Sequence, residues 1–300
     1  MPSTDPPIDA PDDDLIGAVL AERYKVLEAI GEGGMGRVYR GIHVTLGKAI
    51  ALKVLKGEFT GNRDLTERFF REARAASRIG HENIVDIIDF GTTPAGEAYF
   101  VMEYLNGREL EELMGELGRL PWARARAVFI QITRAMSAAH RAGVVHRDMK
   151  PSNVFLIARD GNPDYVKLFD FGIAKIDDMA GLTRAGMVFG TVAYMAPEQA
   201  MAEDVDNRTD IYAVGVMFYE LLTGQPPYVA EDPTDVLRMH LHSPLPPLSE
   251  VPGVRDDSVR AQLERWIHEC MAKDPNDRFQ TPNEASAKLR ALRAAVVDAF

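Results

Sequence analysis

Val145-His146-Arg147-Asp148-Met149-Lys150-Pro151-Ser152-Asn153 packs a carboxylate, two fixed cations, an amide and a proline into nine residues near the middle of a 300-residue chain. An aspartate placed this way can accept a proton from an attacking hydroxyl. Lys150, two residues on, can neutralise charge developing on a phosphate. Asn153, five residues after the aspartate, offers an oxygen to a hard divalent cation. Together they suggest phosphoryl transfer. Alone, the stretch reads equally well as a polar loop between a helix and a strand, so the flanking sequence has to supply the missing parts.

Composition narrows the field. Hydrophobic residues make up 46% and charged residues 26%, ordinary values for a globular protein with a sizeable core. The net charge of −11 argues against nucleic-acid binding, which needs a basic footprint. The single cysteine, Cys270, excludes an internal disulfide and reads as a core filler in a helical pattern. There is no apolar run of membrane-spanning length and no signal-peptide pattern, so the expected location is cytoplasmic. Residues 1–21 are acidic and proline-rich and are expected to form a flexible tail, from which Leu15, Ile16, Val19 and Leu20 could pack on the adjoining domain.

Upstream of the central stretch, strand-like sequence runs from Tyr24 to Ile30 and from Val38 to about His43. Between them lies Gly31-Glu32-Gly33-Gly34-Met35-Gly36-Arg37. Glycines at this spacing let backbone N–H groups approach phosphates closely. A dinucleotide-binding loop would need a helix next, and a Walker loop a lysine; here a strand comes next, so the glycines sit at a hairpin tip. Ala51 and Lys53 share one face of the next strand, Ala49–Leu55. Residues 64–79 read as a helix with Glu72 on its apolar stripe, where a carboxylate needs a partner such as Lys53. Strands from Ile84 to Phe90 and Ala98 to Glu103 come after it, then a linker through Gly107.

Downstream, 121–142 is the clearest helix, closed by Gly143. Val154–Ile157 and Tyr165–Phe169 read as strands around the turn Asp160-Gly161. The second ends at Asp170-Phe171-Gly172, whose carboxylate could join Asn153 on Mg²⁺. Residues 173–198 lack periodicity and end at Ala196-Pro197-Glu198. Helices interrupted by prolines complete the chain.

In this order and at these spacings, the glycine loop, Ala-x-Lys, helical Glu, His-Arg-Asp-x-Lys-Pro-x-Asn, Asp-Phe-Gly and Ala-Pro-Glu closely resemble the eukaryotic-like, Hanks-type serine/threonine protein kinases of bacteria. The resemblance covers about 22–295. It implies an α+β, bilobal, protein-kinase-like fold. The small lobe, about 22–103, would hold a five-stranded antiparallel sheet and one helix. The hinge would fall at about 103–107. A mainly helical large lobe would fill about 108–295, with 296–300 as a terminal tail.

The resemblance also implies roles. Gly31, Gly33 and Gly36 cover the phosphates of ATP, with Ile30, Glu32, Gly34, Met35, Arg37 and Val38 completing that loop. Ala51 lines the adenine pocket, Lys53 binds the α- and β-phosphates, and Glu72 holds Lys53. Met102 is the gatekeeper, and Glu103 and Leu105 are hinge contacts. Asp148 orients or deprotonates the acceptor hydroxyl, and Lys150 stabilises the transferring group. Asn153 and Asp170 bind Mg²⁺, with Mn²⁺ as an alternative. Glu198 pairs with Arg278, and Asp210 braces the catalytic loop. Lys150 in this motif points to protein substrates with Ser or Thr acceptors.

Arg147 beside Asp148 implies control by phosphorylation, with Lys175 helping to hold a phosphate on Thr183 and with Thr191 fixing the acceptor. The chain departs from many relatives here: Ala185 stands where they carry a second threonine, and Met187 occupies the position that many eukaryotic relatives use. A homodimer that autophosphorylates in trans stays open. The rival readings are a pseudokinase scaffold, which usually lacks a lysine or aspartate that is present here, and a small-molecule kinase, which generally lacks Ala-Pro-Glu.

Overall fold

Alternating burial along a few short segments builds the first of two units. The computed structural model describes residues 15–171, 192–248 and 250–292. The first unit comprises the chain through Phe70 together with Ile87–Tyr104. Its strands are β1 (Val19–Leu20), β2 (Tyr24–Glu32), β3 (Gly36–His43), β4 (Ala49–Leu55), β5 (Ile87–Thr92) and β6 (Ala98–Glu103). They pair antiparallel in the order β1-β2-β3-β4-β6-β5. The sheet curls, because Tyr24 on β2 donates to Asp89 Oδ2 on β5 at 2.9 Å and Arg23 pairs with the same oxygen at 2.7 Å.

The curl encloses Leu20, Tyr24, Val26, Tyr39, Ile50, Leu52, Val54, Tyr99 and Val101, with Leu15 packed against them. Each large apolar side chain buried this way contributes roughly 1.5–3 kcal/mol. On β4 the core takes Ile50, Leu52 and Val54, which leaves Ala51 and Lys53 for the opposite face. Five strands were expected; the sixth is the two-residue β1. It draws 15–20 out of the expected tail, although Ile16 and Val19 stay about half exposed.

The second unit comprises Arg71–Asp86 and the chain from Leu105. Helix α1 (Arg63–Ile79) therefore contributes to both units. The expected strand from Ile84 to Phe90 divides likewise. Ile84 bridges to Leu168, Val85 N–H donates to the Leu168 carbonyl at 2.9 Å, and Leu168 N–H to the Asn83 carbonyl at 2.8 Å. Only Ile87 onward joins the first sheet. Gly107, read as the end of a linker, instead opens β7 (Gly107–Glu109). This strand pairs with β8 (Val154–Arg159), which pairs with β9 (Asn162–Leu168). Asp160 and Gly161 join β8 to β9 with φ of 50° and 78°, the pair of left-handed residues that a tight hairpin requires.

Among the described residues, the helices of this unit are α2 (Leu110–Leu117), α3 (Trp122–Arg141), α4 (Pro197–Ala200), α5 (Asn207–Thr223), α6 (Pro233–His242), α7 (Asp257–Cys270) and α8 (Pro282–Ala291). Helix α5 is apolar nearly all round, with every residue from Thr209 to Tyr219 buried, so it forms the centre of the core. Asp206 caps it by accepting from Arg208 N–H, and Gly224 ends it at φ 87°. Phe218 packs against Phe129 with ring centroids 4.2 Å apart and meets Trp266 edge-on at 5.0 Å.

Gly215 lets α5 touch α7. A Cβ there would lie 2.6 Å from Cys270 Cβ and 2.8 Å from Met271 Cγ. Gly215→Ala should therefore destabilise the fold by about 1–3 kcal/mol despite alanine's better helix propensity. A melting curve unchanged from the wild type would contradict this packing. Among the described residues, no helix is long and apolar enough to cross a membrane.

Candidate active site

In the first unit, one sheet face gathers much of the expected nucleotide-binding set. Val38 pairs with Lys53 across β3 and β4, Lys53 with Phe100, and Ala51 with Met102 across β4 and β6. Paired residues share a face. Lys53 Nζ lies 5.8 Å from the centroid of the Phe100 ring, which rests on Phe69 at 4.9 Å. Glu103 ends β6, and Leu105 falls in the second unit.

The glycine loop is closed by Gly33 N–H donating to the Gly36 carbonyl at 2.8 Å. Glu32 pairs with Lys56 at 2.8 Å and with Arg37 at 3.3 Å. The Lys56 hydrogen bond and the charge of Arg37 hold its carboxyl below the usual range. The glycines are not equivalent. A Cβ on Gly36 would strike the Val54 carbonyl at 2.7 Å, so the sheet itself demands glycine there. A Cβ on Gly31 or Gly34 would meet nothing within 4 Å. The packing does not require glycine at those two positions, and the bare backbone there stays open to a ligand. Ile30 is about half exposed, and Met35 precedes Gly36 at the tip.

In the second unit, α3 delivers the chain to the loop, ended by Gly143 at φ 73°. Glu72 lies half-buried on α1. Asp210 of α5, itself 1% exposed, organises the loop from His146. Its carboxylate accepts from His146 N–H at 2.8 Å and from Arg147 N–H at 2.7 Å, and lies 2.7 Å from His140 Nε2. Arg147 takes φ 66°, a left-handed conformation that costs a non-glycine residue roughly 1–3 kcal/mol and persists where neighbours enforce it.

His146 Nδ1 accepts weakly from Asp148 N–H at 3.4 Å, and Nε2 lies 3.2 Å from the Phe169 carbonyl. One nitrogen accepts and the other donates, so the ring is neutral. Burial agrees, pushing the imidazole pKa down against the charges of Asp210 and Asp148. The His146 ring also stacks on Phe171 at 4.6 Å.

Asp148 is held from two sides. Asn153 Nδ2 donates to its carbonyl at 2.6 Å and to Oδ2 at 3.2 Å, and Lys150 Nζ lies 3.5 Å from Oδ2. Asn153 sits in a 3-10 turn begun by Pro151, and its carbonyl accepts from Phe169 N–H at 3.2 Å. That bond brings Asp170, at φ 52°, back toward the loop. Glu109 feels the same site. Burial first, then Glu112, Glu111 and Asp170, raise its carboxyl, while Lys150 pulls the other way.

Farther along, Arg278 clamps Glu198 with both terminal nitrogens, at 2.7 and 2.8 Å, and Thr209 donates to the same carboxylate at 2.7 Å. Burial pushes the Glu198 carboxyl up, but the Arg278 hydrogen bonds and charge outweigh it and hold the group below its usual range. Tyr194 donates to Glu220 at 2.6 Å. Lys273 Nζ donates to the His240 carbonyl at 2.7 Å, and burial, with Arg278 nearby, lowers its pKa to about 8.

His240 is wholly buried, with Nδ1 2.8 Å from Tyr212 Oη. Burial, reinforced by Lys273, lowers its pKa to about 4. The unfolded chain therefore binds a proton between about pH 6.5 and 4 that the folded chain refuses. Stability should fall across that window as pH falls, by about 3 kcal/mol from this group. Urea titrations should show a flatter dependence for His240→Gln; an unchanged slope would contradict the assignment.

Lys175, Thr183 and Thr191, and Gly172 of the Asp-Phe-Gly motif, lie outside the described residues. Sequence reading missed His140, Gln131, Gln199 and Glu220. None belongs to a short motif. Gln131 binds both the Val166 N–H and the Asp164 carbonyl, which steadies β9.

The chain is similar to known proteins over most of its length. A family model described as protein kinase domain matches residues 24–288. Serine/threonine-protein kinase pkn3 of Myxococcus xanthus is 40% identical over 285 residues, which are 93% of this chain and 52% of that protein. Pkn1 of the same organism is 42% identical over 97% of this chain and 41% of its own length. The chain spans about half the length of these curated relatives. A crystal structure of the Mycobacterium tuberculosis PknI kinase domain aligns with a TM-score of 0.68 at 28% identity, covering 92% of this chain and 97% of that one. The chain belongs to the protein kinase domain family, and its curated relatives are bacterial serine/threonine-protein kinases.

Proposed function

We propose that this chain transfers the γ-phosphoryl group of ATP to serine or threonine hydroxyls of proteins. The observation that carries the reading is the fixing of Asp148 by Asn153 and Lys150 on a loop pinned to Asp210. The acceptor oxygen attacks the γ-phosphorus, the bond to the ADP oxygen breaks, and the hydroxyl proton passes to Asp148. Lys150 offsets charge on the transferring group. In the first unit, Gly31, Gly33 and Gly36 cover the phosphates, Lys53 binds the α- and β-phosphates, and Ala51, Met102 and Glu103 face the base.

Asn153 and Asp170 are the groups that would hold Mg²⁺. Asn153 fits this role: its amide nitrogen is committed to two oxygens of Asp148, which leaves the amide oxygen as a hard donor for the cation. The ion would neutralise phosphate charge. Arg147 next to Asp148 favours control through a phosphate on Thr183. Incubation with labelled Mg²⁺-ATP and an acceptor protein tests the reaction. Phosphoserine or phosphothreonine is expected; phosphotyrosine alone, or no transfer, contradicts it.

A further inference from the structure

Resting on that reading of Asp148, we infer that Gln199 is a positioning residue that sets the orientation of the Arg147–Asp148 peptide and thereby aims the Asp148 carboxylate. Gln199 lies in α4. Its Oε1 accepts from Ala196 N–H at 3.1 Å, and its Nε2 donates to the Arg147 carbonyl at 3.0 Å. One amide thus ties the segment that ends in Ala-Pro-Glu to the residue before Asp148.

The peptide it holds needs such a tie. Arg147 carries φ 66°, so its backbone sits in a conformation that surrounding bonds must enforce. Asp210 fixes the N–H of Arg147 at 2.7 Å. The next peptide unit is held by the long bond from Asp148 N–H to His146, at 3.4 Å, and by Gln199 at 3.0 Å. Rotating that unit swings the Asp148 side chain directly. A water-sized pocket of about 20 Å³ is bordered by Arg147, Asp148, Tyr194, Met195, Gln199 and Asp210. A peptide beside a cavity is held by its hydrogen bonds more than by packing.

The other end of the tie is rigid. The neighbouring Glu198 is 5% exposed and locked by Arg278 and Thr209. Gln199 therefore transmits a fixed frame to Asp148. Misplacing a reacting group by about 1 Å can cost on the order of a hundredfold in rate.

Two variants separate this role from simple support of α4. Gln199→Glu keeps the oxygen that accepts from Ala196 N–H and replaces the donor to Arg147 with a repelling oxygen. Gln199→Met keeps the shape and removes both bonds. Both should lower kcat for a protein acceptor about tenfold to a hundredfold, with KM for ATP within about twofold of the wild type. Gln199→Glu with the wild-type kcat overturns the proposal, as does a loss confined to Gln199→Met that tracks its melting temperature.

Hydrogen exchange over 146–148 reads the tie without turnover. It should quicken in both variants while 208–222 is unaffected, and unchanged exchange there also overturns the proposal. If the wild type transfers no phosphoryl group but the exchange difference holds, the reaction is rejected and the tie to the Arg147–Asp148 peptide stands.

Discussion

Asp148→Asn should lower phosphoryl transfer by about 10²–10⁴-fold while the chain stays folded and still binds ATP. The magnitude is that of removing a positioned proton acceptor. Asparagine has nearly the same shape, and its oxygen can still accept from Asn153 Nδ2, so the 3.2 Å contact has a neutral replacement. What goes is the charge opposite Lys150, now 3.5 Å away, and the lone pair that receives the hydroxyl proton. The backbone bonds that shape the loop run from Asp210 to His146 and Arg147 and do not involve the Asp148 side chain. A fall in kcat with an unchanged melting temperature is the expected signature. Loss of ATP binding in this variant would move the role of Asp148 from the acceptor to the nucleotide.

Arg278→Ala should be the most destabilising single change in the second unit, costing about 3–5 kcal/mol. The Arg278 side chain is fully buried and that of Glu198 nearly so, at 0% and 6% exposure. Removing the guanidinium strands a carboxylate in the core, where an unpaired charge is expensive. It also abandons the carbonyls of Ala272, Arg208 and Lys273, each of which accepts from Arg278. The loss is a large share of a typical domain stability of roughly 5–15 kcal/mol. Urea unfolding measures it. Arg278→Met combined with Glu198→Leu should cost less than the two single changes summed, because the double variant leaves no lone charge. A loss below about 1 kcal/mol for Arg278→Ala would contradict the clamp.

The sequence made some of this visible because certain needs are local. Ala51 and Lys53 show their shared face through simple alternation with Ile50, Leu52 and Val54. Asp160-Gly161 announces a hairpin because both residues tolerate positive φ. The loop from His146 to Asn153 is legible because its charged and amide groups crowd into one short segment.

Other features depend on distant partners and leave no local pattern. Ile84 and Val85 look like the start of β5, yet Leu168 captures them from 83 residues or more downstream. Gln199 reaches Arg147 across 52 residues, and His140 reaches Asp210 across 70. Such pairings arise from how α5 and the hairpin of β8 and β9 pack, and a single segment does not encode them. The same holds for β1, whose two residues gain their strand character only by lying along β2.

We propose that Asp148 makes this chain a phosphoryl-transfer enzyme acting on hydroxyl side chains. Phosphosite mapping by mass spectrometry, after incubation of the chain with Mg²⁺-ATP, tests it most directly when the wild type and Asp148→Asn are run together. Phosphate is expected on serine or threonine of the wild type, and at least about a hundredfold less on the variant. Equal phosphate on both, or phosphate confined to tyrosine, would contradict the claim.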